Sequence, residues 1–283
     1  MAGGWLDIAN RPRYRFVGNK RGWKGERKVS ASLTEVRTDW FASFDGARLC
    51  VHEMGEGRPL ILLHGLFSSA QVNWIKYGTA SQVALAGFRL IMPDLRAHGD
   101  SAAPHDPAAY PPDVLLRDVR ALIAHLGLED FDLGGFSLGA RTVAKLLSEG
   151  LTPGRAILAG MGLEGLSGWA QRRDFFQAAI AQRDTAKRGD PHWMAIQFMK
   201  TMHIDPVAAS LLLDTFGDVE PEEVKDIETE TLVLCGRDDR DNGSPVALAA
   251  LLPNGQHREI PGTHMSCVTM PEMGRAMVDF LTA

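Results

Sequence analysis

The chain has 283 residues, 45% of them hydrophobic and 23% charged, with a formal net charge of -5. That balance fits a globular protein with a full core; it excludes disorder, collagen-like repeats and coiled coil, and gives no reason to expect nucleic acid as a partner. The charge is uneven, because residues 1–37 hold nine Lys and Arg against three Asp and Glu, a net +6 that leaves -11 for the remainder.

Residues 1–39 therefore read as a basic N-terminal arm. It is either a docking segment, through which copies of the chain would form a homo-oligomer or meet an anionic surface, or a solvated extension. No apolar stretch approaches the roughly 18 residues of a membrane-spanning helix, and no signal-peptide core is seen, so a cytoplasmic protein without a membrane span is expected. Cys50, Cys235 and Cys267 are odd in number and lack metal-ligand spacing, which favours buried free thiols over disulfides or zinc.

From Trp40 onward the pattern alternates. Trp40 to Phe44 and Ala47 to Met54 flank Asp45-Gly46 and predict a hairpin, since Asp-Gly suits a tight turn with positive φ. Short apolar runs follow at 59–63, 89–92, 131–136, 155–160, 231–235 and 257–260, as expected for strands buried on both faces. Between them, 112–126, 138–148, 244–252 and 271–281 have helical spacing. The expected fold is α/β: a mostly parallel, eight-stranded sheet with helices on both faces and an antiparallel hairpin at one edge. Residues 163–226 interrupt the alternation with helical patterns rich in aromatics and Met, and are read as a helical cap over a core made of 40–162 and 227–283.

The most informative segment is Gly135-Phe136-Ser137-Leu138-Gly139, set between a predicted strand and a predicted helix. A G-x-S-x-G there is a nucleophile elbow, whose glycines allow a turn sharp enough to expose the serine hydroxyl. A phosphate loop is excluded because no Lys-Ser/Thr follows. Serine needs a base, and the base needs an orienting acid. In chain order these should be an acid after one late strand and a histidine after the last. His264 in Gly262-Thr263-His264-Met265 is the histidine. Asp239 in Gly236-Arg237-Asp238-Asp239 is the preferred acid by its G-x-x-D spacing, with Asp238 and then Asp241 as alternatives. The backbone N–H groups of Leu138 and of Leu66, in Leu63-His64-Gly65-Leu66-Phe67, are expected to form an oxyanion hole. Phe67, Trp74 and Met161, with the cap aromatics, are candidates for an apolar acyl pocket, although most must also serve as core.

At these residues the sequence resembles the α/β-hydrolase superfamily, and within it the branch of small-cap serine esterases, C–C hydrolases and cofactor-free haloperoxidases. The resemblance runs from about Phe41 to the C-terminus. Besides the segments above it rests on Pro93-Asp94-Leu95-Arg96-Ala97-His98-Gly99-Asp100-Ser101, where it implies that Asp94, Arg96 and His98 brace a loop. Serine at the elbow departs from the haloalkane dehalogenases and epoxide hydrolases, which use a carboxylate nucleophile.

The expectation is a serine hydrolase that cleaves a small-molecule ester, thioester or lactone with water through an acyl-enzyme. It implies no metal and no organic cofactor. Hydrolysis of a C–C bond in a diketone and perhydrolysis would use the same triad, and a non-catalytic small-molecule receptor on the same fold is the alternative outside enzymology.

Overall fold

The structure, a computed structural model, describes residues 33–283. Most of the basic arm lies outside the described residues. Eight strands, β1 (Arg37–Ala42), β2 (Arg48–Met54), β3 (Arg58–Leu63), β4 (Phe88–Pro93), β5 (Asp132–Phe136), β6 (Arg155–Ala159), β7 (Glu230–Gly236) and β8 (Gly255–Ile260), form one sheet in the order β1-β2-β4-β3-β5-β6-β7-β8. Only β2 runs against its neighbours β1 and β4; every other pairing is parallel.

The inner strands show why they form. Leu60 and Leu62 of β3 enter one core cluster while Ile61 and Leu63 enter the other, the period of two that sends successive side chains to opposite faces. Both faces are apolar, so both are covered. Helices α1 (Thr79–Leu85) and α9 (Pro271–Leu281) lie on one face, giving Val83, Met277 and Phe280 to its core. On the other, α2 (Val114–Leu126), α3 (Leu138–Ser148) and α8 (Pro245–Leu251) supply Val119, Val143 and Leu248.

Between β6 and β7 the chain forms α4 (Trp169–Ala181), α5 (Trp193–Thr201), α6 (Pro206–Leu213) and α7 (Pro221–Lys225). A small separate cluster, including Ala179, Ile196, Met199 and Ala209, packs against Phe67 of the core. The excursion closes at its neck, where Val219 N–H donates to the Leu166 carbonyl at 2.9 Å and Asp218 accepts from the Trp169 N–H at 2.9 Å. Asp205 starts α6 by accepting from the Val207 and Ala208 amides, with Pro206 in the first turn.

The structure departs from the sequence reading in two places. β1 begins at Arg37 rather than Trp40, because Arg37 pairs in register with Glu53 and their side chains form an ion pair, a polar edge without apolar alternation. Helix α1 is absent from that reading because its seven residues are too few to set up helical periodicity. Among the described residues no helix is long and apolar enough to cross a membrane.

Candidate active site

Strand β5 carries Ser137 out of the centre of the sheet. Its φ of 53° and ψ of -111° are a strained combination for a residue with a Cβ, and its N–H is held by the Ala159 carbonyl at 2.8 Å. The flanking glycines are needed for contact. A Cβ on Gly135 would lie 2.2 Å from the Gly139 carbonyl carbon, and one on Gly139 would lie 2.2 Å from the Leu63 carbonyl oxygen. Helix α3 can therefore start immediately after Ser137 and close against β3.

His264 Nε2 lies 3.0 Å from Ser137 Oγ, and its Nδ1 lies 2.8 Å from Asp239 Oδ2. The remaining Asp239 oxygen, Oδ1, accepts from the Asp241 N–H at 3.0 Å. Burial raises the Asp239 carboxyl, but the hydrogen bond and charge of His264, with the Asp241 amide, outweigh this and hold it below its ordinary value. An ionised Asp239 can only accept, so Nδ1 carries the proton and Nε2 presents a lone pair to the serine hydroxyl. Asp238 is exposed, and its N–H donates to the Gly262 carbonyl at 3.0 Å. The Phe136 ring, 4.9 Å from the imidazole centroid, packs against His264.

In the loop after β3 the amides are allocated one by one. Gly65 N–H donates to Asn73 Oδ1 at 3.0 Å, Phe67 N–H to His98 Nε2 at 2.9 Å, and Ser68 N–H to the Gly65 carbonyl at 3.1 Å. Leu66 N–H between them, and Leu138 N–H at the start of α3, have no acceptor among the described residues. His64 and His98 are supports: His64 Nε2 accepts from Leu95 N–H and its Nδ1 reaches the Gly65 carbonyl, while His98 Nδ1 reaches the Arg96 carbonyl. Both rings are fully enclosed, and burial pushes His98 down to about 3 and His64 below its ordinary value. Asp94 accepts from the Ala70 and Asp100 amides, and buried Arg96 forms ion pairs with Asp45 and Asp118.

The cavity over Ser137 is lined by Leu66, Leu138 and Met161 from the sheet side and by Trp169, Arg172 and Phe176 from α4. Its free space is about 30 Å³, room for roughly two waters. Phe67 lies just behind, edge-on to Phe176 at 5.5 Å, whereas Trp74 is buried in the core on the α1 and α9 face and does not line the cavity. A larger open depression near α8, lined by Arg237, Arg240 and Val246, reaches Asp239 from outside but includes neither Ser137 nor His264. Sequence reasoning passed over Arg141 and Arg172. Arg141 stands one helical turn beyond Ser137, a usable signal; Arg172 sits on a helix with no apolar periodicity to orient it.

Among the described residues, two groups bring metal-type ligand atoms together: Cys50, His52 and Asp94, and Asp239, Asp241 and His264. In each, side chains already bond one another or main-chain amides. Burial raises the thiols of Cys235 and Cys267 to about 12, which makes them inert at neutral pH.

A serine, a histidine and a carboxylate on the carboxyl ends of parallel strands, beneath a helical excursion, define a doubly covered α/β protein with a serine-centred hydrogen-bond chain. Residues 58–156 match the family model described as alpha/beta hydrolase fold, and the eight-stranded, mostly parallel sheet has that fold. It is 35% identical over 100 residues to an AB hydrolase superfamily protein of Bacillus subtilis, covering 35% of each chain. It is 34% identical over 112 residues to an epoxide hydrolase of Caballeronia sordidicola, covering 40% of this chain and 33% of that one. These alignments span only about a third of the relatives' lengths. An esterase from a Rhodococcus species superposes with a TM-score of 0.67 at 25% identity, covering 87% of this chain and 98% of that one.

Proposed function

We propose that this protein is a serine hydrolase that cleaves a small carboxylic ester, thioester or lactone through an acyl-enzyme. The observation that carries the reading is the continuous hydrogen-bond chain from Ser137 Oγ through His264 to Asp239, at 3.0 and 2.8 Å. Ser137 Oγ attacks the acyl carbon while its proton passes to His264 Nε2; the developing oxyanion is held by the Leu66 and Leu138 N–H groups. The imidazolium, stabilised by Asp239, gives that proton to the leaving alcohol or thiol. Water then repeats the sequence on the acyl-enzyme and releases the acid.

Similarity to an epoxide hydrolase does not extend to its reaction. Attack of a carboxylate on an epoxide leaves an ester that water can cleave, whereas attack by Ser137 would leave an ether that it cannot. A serine in this position suits acyl transfer. The likeness to a Rhodococcus esterase points the same way.

Replacing Ser137 with Ala is expected to lower kcat on short p-nitrophenyl esters by about a millionfold, as loss of such nucleophiles does. A fluorophosphonate probe should label the wild type and not Ser137→Ala. Undiminished turnover in the variant would overturn the mechanism.

A further inference from the structure

The cavity over Ser137 contains charge that hydrolysis of a plain ester does not need. Arg172 lines it from α4, and its Nη1 donates to the Asp241 carbonyl at 2.8 Å. Its guanidinium has five N–H donors and forms no ion pair among the described residues. Of the two neighbouring carboxylates, Asp239 is committed to His264 and the Asp241 amide, and Asp241 meets Arg172 through its main chain.

Behind it, Arg141 lines the same cavity and is only 4% exposed. Its two terminal nitrogens are used on the Gly165 and Gly217 carbonyls and Asp218, but Nε is buried without a partner. Asp241 and Asp239 act on the Arg172 charge only from a distance, so a half-buried cation that is in no ion pair and a buried orphan donor each carry a desolvation cost that an anionic ligand would reduce.

We propose that the substrate carries an ionised carboxylate on its acyl portion and that Arg172 is its counter-ion, with Arg141 reinforcing the field from behind. This rests on the serine-hydrolase reading for the reaction, but not for the anion site. The acyl portion is the part assigned to Arg172 because it stays at Ser137 from acylation to deacylation, in the space that Arg172 lines, while the leaving group exits after the first half-reaction. A guanidinium also prefers the planar, two-oxygen geometry of a carboxylate.

The test compares p-nitrophenyl hydrogen glutarate with p-nitrophenyl hexanoate, a neutral ester of similar length. The wild type should favour the anionic ester in kcat/KM by about tenfold to a hundredfold, the range expected for a charged hydrogen bond. In Arg172→Ala that ratio should fall to about one, and Arg172→Lys should keep part of it. Equal use of the two esters by the wild type, or a proportional loss on both in Arg172→Ala, would overturn the proposal.

Binding separates the anion site from the chemistry. Glutarate at tenfold its dissociation constant should raise the Tm of Ser137→Ala by about 2 °C, and this shift should vanish when Arg172→Ala is added. If neither ester is cleaved, the hydrolase reading fails, and the shift alone decides: present and dependent on Arg172 it supports the anion site, absent it overturns it.

Discussion

Replacing Asp239 with Asn tests how the histidine is set. Oδ1 of Asp239 accepts from the Asp241 N–H, so the asparagine carbonyl will keep that place and turn its NH2 toward His264 Nδ1, 2.8 Å from the oxygen it replaces. An NH2 can only donate, so Nδ1 must become the acceptor and the ring proton moves to Nε2. That proton then faces Ser137 Oγ, 3.0 Å away, and the lone pair that should take the serine proton is gone. The side chains are nearly isosteric and the loop keeps its shape, so the loss falls on kcat. The equivalent exchange in a Ser-His-Asp enzyme costs about 10⁴ in kcat, or ~5.4 kcal/mol. Steady-state kinetics on p-nitrophenyl acetate, with Asp238→Asn as the exposed control, gives the comparison. A loss below tenfold in Asp239→Asn, or a larger loss in Asp238→Asn, would refute the tautomer argument.

Arg96→Met should destabilise the fold by about 3–5 kcal/mol, because it leaves Asp118 buried without its cation, and Arg96→Met/Asp118→Leu should recover more than half of that in urea unfolding. No recovery would show that the pair is not the cause. His64 and His98 are held neutral by burial, with folded pKa values below the unfolded one. Their contribution to stability is therefore present above about pH 6.5 and is lost as pH falls below it, for His98 down to about 3. His98→Gln should reduce the slope of unfolding free energy against pH by up to about 1.4 kcal/mol per pH unit near pH 5; an unchanged slope would refute the assignment.

The sheet was legible because its inner strands are apolar on both faces, so Leu60 to Leu63 or Leu232 to Leu234 announce themselves without any partner being known. Residues joined only by the fold left no such trace. Asp45, Arg96 and Asp118 form one network around the buried guanidinium from three distant parts of the chain, and nothing local to any of them signals the other two. Ser137 was readable because its strain requires glycines on either side, and a geometric requirement leaves a mark on neighbouring letters. Arg172 has no such requirement: its position depends on how α4 packs over the sheet, and that is decided by tertiary contacts alone.

The closed neck of the helical excursion has a kinetic consequence. Because Leu166 and Val219 are tied together by a main-chain hydrogen bond, the two ends of the segment that holds α4 to α6 lie side by side. The rest is secured by the small cluster around Phe67, by Ala208 and Leu212 of α6 in the main core, and by the Asp113 N–H donating to the Thr215 carbonyl at 2.8 Å. Such a segment is a natural unit of sub-global opening, able to exchange its amides and loosen while every strand of the sheet stays paired. Because Trp169, Arg172 and Phe176 of α4 line the space over Ser137, loosening of this segment would widen the room for an acyl chain.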